Sequence, residues 1–189
     1  SLHQVSKWTS YGGQTFVELG LIGGFYAFGH AEHSPRAVET ARLSLESLID
    51  STIVVSALKA VTQRPRPNEY NGRGTFFTGG SSFPSGHSSS AWSIATVVAY
   101  EYQNQPLVKY GAYAAAAAIG LSRYSGRNHF LSDIVVGSAL GFYTGRLVYR
   151  THHISTASPV DDNSPPAKQT TRLIPLLTPI YNAKARAYG

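Results

Sequence analysis

The chain has 189 residues, of which 42% are hydrophobic and only 14% charged, and 16 Lys and Arg against 10 Asp and Glu give a net charge of +6. That length suits one domain with a real hydrophobic core. No Lys/Arg-rich run appears, which argues against a nucleic-acid partner, while the basic balance suits a smaller anion such as a phosphate ester or a lipid headgroup.

Cysteine is absent, so no disulfide framework exists. Methionine is absent even at position 1, so the chain reads as trimmed or processed, and any export signal would have gone with its start.

In chain order, residues 14–30 read as an apolar helix whose only charge is Glu18. Ser34 then caps a new helix with Pro35 in its first turn. Over residues 36–63 the charges Glu39, Arg42, Glu46 and Asp50 recur every three to four positions. They predict one polar stripe, with Leu43, Leu48, Ile49, Ile53 and Val54 turned to the core. Pro65 and Pro67 stop that helix. Residues 68–83, with Gly72, Gly74, Gly79 and Gly80, read as a flexible connector or a lid; their glycines match no nucleotide-binding loop. Helices are expected over 84–103, 106–121 and 129–149. From Ile154 a proline-broken linker and tail run to Gly189. With weak strand signals and no repeat, the class is all-α: a helical domain over 1–153 and a tail over 154–189.

A spanning helix needs ~20 mostly apolar residues. The uncharged stretches 88–100, 110–122 and 134–145 are shorter, each bounded by a charge such as Glu101, Lys109, Arg123, Asp133 or Arg146. They fit buried helices of a soluble bundle better than membrane spans, and such a bundle leaves room for peripheral contact with a membrane.

Three clusters carry chemistry. In SRYSGRNHFLSD, His129 and Asp133 are four residues apart, one face of a helix. Asp133 would then accept from Nδ1 and leave Nε2 of His129 as a free lone pair; an ordinary surface pair has the same spacing. In PSGH, Pro84 suits a first turn, and the N–H groups that follow point off a helix N-terminus, where an anion binds. Gly86 would let it approach the backbone, with His87 beside it. In KAVTQRPRP, Lys59 and Arg66, joined by Arg123 of the other cluster, are candidates to grip phosphoryl oxygens. Arg64 and Arg127 read as solvated cations. His30, His33, His152 and His153 have no supporting ligand cluster, so no metal site is expected.

Lys59, six residues, then Arg66-Pro67; Pro84-Ser85-Gly86-His87; Ser122-Arg123, five residues, His129, three residues, Asp133. These three motifs, complete and in order, resemble the type 2 phosphatidic acid phosphatase superfamily, which includes bacterial acid phosphatases and vanadium haloperoxidases. The resemblance covers about residues 12–150. It implies an all-α helical bundle of the acid phosphatase/vanadium haloperoxidase type with the motifs meeting at one end. It implies a metal-independent, cofactor-free phosphatase acting on a lipid phosphate, an isoprenoid diphosphate or a small soluble ester. His129 would attack phosphorus, Asp133 support it and His87 protonate the leaving oxygen. Lys59, Arg66, Arg123, Ser85 and Gly86 would hold the phosphoryl group.

One place departs from the commoner pattern. Many members carry glycine two residues before the nucleophile, where this chain has Arg127. That form is similar to a soluble exported bacterial subgroup, which implies a periplasmic or otherwise exported setting. Two alternatives stay open. A vanadate-dependent haloperoxidase would show peroxidase activity with vanadate and bromide. A non-catalytic anion- or lipid-binding protein would not turn over p-nitrophenyl phosphate.

Overall fold

The computed structural model describes residues 2–69 and 72–156, with side chains placed from residue 15 to residue 153. Five helices account for most of them: α1 (Leu2–Ala31), α2 (Pro35–Thr62), α3 (Gly86–Glu101), α4 (Pro106–Ser125) and α5 (Leu131–Thr156). No strand occurs among the described residues, so the protein is all-α. α5 continues three residues beyond the expected end of the helical domain; the expected tail from residue 157 onward lies outside the described residues.

α3 is the central helix and packs on α2, α4 and α5, while α1 leans on α2. The α3–α5 contact is closest because both faces are small. A Cβ added at Gly137, Gly141 or Gly145 of α5 would lie 2.4, 2.1 and 2.4 Å from the carbonyl oxygens of Ser85, Ser89 and Ser93. Both sets recur every four residues, so each forms one stripe along its helix. The two backbones touch, and this fixes the start of α3 beside the start of α5. Around that seam Leu43, Val97 and Val148 are almost completely buried, each contributing about 1.5–3 kcal/mol.

The helix starts follow their caps. Ser34 Oγ accepts from Ala37 N at 3.4 Å ahead of α2. Gln63, not a proline, ends α2 by turning left-handed at φ 45° and donating its N–H to the Lys59 carbonyl. Ser85 caps α3, which places Pro84 before the cap instead of in the first turn.

The predicted faces of α2 are partly reversed. Glu46 and Asp50 are 5% and 1% exposed, while Ile49 and Ile53 are 49% and 40% exposed. A buried carboxylate needs donors, and α5 supplies one to Glu46: His152 Nε2 lies 3.0 Å away, with Arg42 on its other nitrogen at 3.2 Å. His152 is thus part of a polar lock between α2 and α5. α4 also departs from expectation. It buries only Ala116 and Gly120 and leaves Leu107, Tyr110, Leu121 and Tyr124 exposed. No described helix is long and apolar enough to cross a membrane.

The segment between α2 and α3 is not a loose connector. Phe77 N, Thr78 N, Gly80 N and Ser82 N donate to the carbonyls of Thr62, Gln63, Gln63 and Arg64. The chain folds back flat on the end of α2, so tightly that a Cβ on Gly80 would fall 2.2 Å from Pro65 Cα.

Candidate active site

The end of the bundle where α2 stops and α3 and α5 begin gathers the residues that the motifs mark. α3 starts with Ser85 Oγ accepting from Ser88 N at 3.3 Å. The N–H groups of Gly86 and His87 have no acceptor further up their own helix. They face the region where a helix N-terminus favours an anion. Ser85 is itself buried, and its N–H donates to the Asp133 carbonyl at 2.9 Å. Its part is therefore to join α3 to α5.

His129 is not on a helix with Asp133, as the spacing suggests; α5 begins two residues later. The approach to it leaves α4 at Gly126 and passes through Arg127 in the left-handed region at φ 51°. This is the place where the resembling pattern has glycine, and glycine enters that region most readily. Arg127 keeps that turn without glycine's freedom. Phe130 precedes α5, and its N–H donates to Asp133 Oδ2 at 3.0 Å, half of a capping box.

The His129 ring is 2% exposed. Its Nδ1 lies 2.8 Å from the Ser82 carbonyl oxygen. A carbonyl only accepts, so Nδ1 carries the proton and Nε2 keeps a lone pair. Asp133 Oδ2 stands 3.7 Å from Nδ1, an ion-pair distance and not a hydrogen bond. The expected Asp133–Nδ1 bond is thus replaced by a backbone carbonyl, with the carboxylate behind it. Burial lowers the His129 pKa, helped by the charges of Lys59 and Arg66 and opposed by Asp133. The ring is held neutral.

Asp133 is fully buried and anchors the site. Oδ2 accepts from Ser82 Oγ at 2.5 Å, and Oδ1 accepts from Arg64 Nη1 at 2.6 Å. Burial pushes its carboxyl up, but His129, Ser82, the Phe130 N–H and Arg64 more than offset this and hold it below its ordinary value.

Arg64 corrects the sequence reading most clearly. Its side chain is 13% exposed. It donates to Asp133, to Ser132 Oγ at 2.8 Å and to the Gly74 carbonyl at 2.8 Å. Its guanidinium lies 4.0 Å from the Phe130 ring centroid and 4.8 Å from that of Phe76. It ties the segment before α3 to the start of α5. Arg64 and Ser82 are the residues that sequence reasoning missed.

Lys59, in the last turn of α2, donates to the Ser81 carbonyl. Burial pushes its pKa down to about 8, opposed by Asp133. Arg66 is held below its ordinary value by burial first and also by the charge of Arg123, so the two cations are within electrostatic reach. Arg123 sits in the last turn of α4, partly exposed.

The His87 and His129 ring centroids are 6.5 Å apart. Both rings, with Lys59 and Gly86, open onto a cavity of about 500 Å³. Away from this polar end the walls are largely apolar: Leu48, Ile49, Ile53 and Val55 of α2, with Thr15 and Glu18 of α1. Ser85, Arg66, Arg123 and Asp133 are not on its wall. Among the described residues no group of three His, Cys, Asp or Glu is disposed to hold a metal. The arrangement offers an unprotonated imidazole nitrogen, a second imidazole across a gap, and the charges of Lys59 and Arg66 within electrostatic reach of His129.

The family model of the PAP2 superfamily matches residues 41–157. A lipid A 1-phosphatase of Porphyromonas gingivalis is 36% identical over 73 residues, which cover 38% of this chain and 16% of that protein. No solved structure matches.

Proposed function

This chain belongs to the PAP2 superfamily, and from that premise we propose that it is a metal-independent phosphatase that hydrolyses phosphomonoesters through a phosphohistidine on His129. The observation that carries the reading is the Nδ1 bond from His129 to the Ser82 carbonyl, which leaves a neutral ring with its Nε2 lone pair free to react. Nε2 attacks phosphorus as the ester P–O bond breaks. His87 gives its proton to the leaving oxygen, then takes one from the water that attacks the phosphohistidine. Lys59, Arg66 and Arg123 meet the charge that builds on the phosphoryl oxygens, with the first N–H groups of α3. Asp133 supports the ring as it becomes positive.

The apolar walls favour an amphiphilic substrate over a small soluble ester. The lipid phosphatase that this chain partly matches agrees with a phosphorylated lipid. Exposed Leu107 and Tyr110 flank the basic Lys109 at one end of α4, and exposed Leu121 stands two residues from Arg123 at the other, which supports peripheral contact with a lipid surface.

The test is turnover of p-nitrophenyl phosphate in excess EDTA, followed by addition of vanadate. Full activity in chelator and strong inhibition by vanadate, which can adopt the five-coordinate transition-state shape, are expected. Loss of activity in EDTA that a divalent metal restores overturns the metal-independent mechanism.

A further inference from the structure

Asp133 stands behind His129 with its two oxygens divided. Oδ2 lies 3.7 Å from Nδ1 of the ring and accepts from Ser82 Oγ and the Phe130 N–H, which carry no charge. Oδ1 is paired with Arg64 Nη1 at 2.6 Å. The carboxylate is fully buried and the Arg64 side chain nearly so, so little solvent weakens the pair. Arg64 lies between Lys59 and Arg66 in the chain, yet outside the three motifs.

The guanidinium is fixed on several sides. Nε donates to the Gly74 carbonyl and Nη1 also to Ser132 Oγ, each at 2.8 Å. The rings of Phe130 and Phe76 have their centroids 4.0 and 4.8 Å from its central carbon, and Phe130 is the residue after the nucleophile. A planar fork held this way is in place before any substrate arrives. Arg64 does not line the cavity, so it meets Asp133 and not the phosphate.

Asp133 has two tasks that conflict. It must steady the ring as it turns positive, yet a bare carboxylate there would also draw a proton to Nε2 ahead of the substrate. We infer that Arg64 is a positioning residue for phosphoryl transfer: fixed at Oδ1, it tempers the charge of Asp133, so that the carboxylate supports His129 without holding a proton on Nε2. The inference rests on the phosphatase reading above. The other charges toward the ring are Lys59 of α2, Arg66 after it and His87 of α3, with Arg123 of α4 beyond Arg66. Burial, Lys59 and Arg66 all favour the neutral ring; Asp133 opposes them, and Arg64 is bonded to Asp133.

The experiment follows kcat/KM for p-nitrophenyl phosphate against pH. Its leaving group scarcely needs a proton, so the acid limb reports protonation of His129 in the free enzyme. The midpoint of that limb does not depend on how much of a preparation is folded, and titration of the substrate is common to every variant. Arg64→Gln removes the charge but can still donate to Oδ1, while Ser82 and the Phe130 N–H keep the carboxylate ionised. The midpoint should rise by about one pH unit, the effect of an opposite charge a few ångströms away. Arg64→Lys keeps the charge and gives up the fork, so its midpoint should stay within about 0.3 of wild type even where kcat falls. An unmoved midpoint in Arg64→Gln, whatever its rate, overturns the inference and leaves Arg64 as a tie alone. A midpoint in Arg64→Lys that rises as far as in Arg64→Gln overturns it too. If Arg64→Gln does not fold, Arg64→Lys decides: a retained midpoint supports the role of the charge, and a raised one rejects it. Wild-type protein that does not turn over p-nitrophenyl phosphate refutes the phosphatase reading instead.

Discussion

The proposed mechanism requires one nitrogen of His129 to be held and the other left free. A backbone carbonyl does the holding, at 2.8 Å from Nδ1, and it orients the ring without adding a charge. A carboxylate in that place would raise the ring's basicity; here Asp133 acts from 3.7 Å, and burial keeps the ring neutral. The two histidines should then separate by substitution. On the proposed mechanism His129→Ala removes the nucleophile and should form no phosphoenzyme on any substrate. On the same mechanism His87→Ala removes only the proton donor, worth ~10²–10⁴-fold where the leaving group needs it. In single turnovers it should slow phosphoenzyme formation far more on an alkyl phosphate than on p-nitrophenyl phosphate. Equal slowing on both rejects His87 as the acid. Both histidines were legible in the sequence because imidazole chemistry and motif spacing mark them. Ser82 was not, since its contribution is a carbonyl that every residue carries. Nor was Arg64: in an Arg-Pro-Arg-Pro run nothing local says which guanidinium turns inward to Asp133.

Most of the helices were legible because their boundaries are: Pro35, Pro106 and the glycine-rich segment before α3 divide the chain where the structure does, while α2 ends at Gln63 ahead of the expected Pro65. Their orientation was less so. Periodicity shows that Glu46 and Asp50 share a face of α2, but not that the face meets α5, where His152 awaits Glu46. The sign of the stripe depends on a helix more than a hundred residues away. The glycine stripe of α5 is a clearer signal of close packing, and it can be tested directly. Gly141→Ala places a methyl 2.1 Å from the Ser89 carbonyl, where only backbone could yield. It should cost about 1–3 kcal/mol, as overpacked cores do. Gly111→Ala, on α4 with nothing within 4 Å, should instead stabilise by about 0.5–1 kcal/mol. Urea denaturation of both reads the contrast. A Gly141→Ala protein as stable as wild type would mean that α3 and α5 do not meet backbone to backbone.

For the whole molecule, the site sets how stability responds to pH. His129, Lys59 and Asp133 all have lowered pKa values, so the folded protein binds fewer protons at each than the unfolded chain. Stability rises with pH wherever the unfolded state holds more protons. Asp133 therefore withdraws stability only in acid, as pH falls below its unfolded value of ~3.9 and through its folded one. His129 begins to withdraw it below ~6.5. Lys59 acts on the alkaline side: between about 8 and its ordinary 10.5 the unfolded lysine is charged while the folded one is losing its proton. Its buried charge is thus a cost near neutrality that deprotonation relieves, unless an anion meets it first. Bound phosphate supplies that anion, draws the lysine pKa back up and cancels the relief. Phosphate also stabilises simply by binding the native state. Its effect on Tm should therefore be larger at about pH 7.5 than at about pH 9.5, by roughly 2–4 °C for each ~1 kcal/mol of Lys59 charge that it rescues. Thermal melts with and without saturating phosphate measure the difference. Equal shifts at both pH values would take Lys59 away from the anion, and with it one of the three cations that the phosphatase reading assigns to the phosphoryl oxygens.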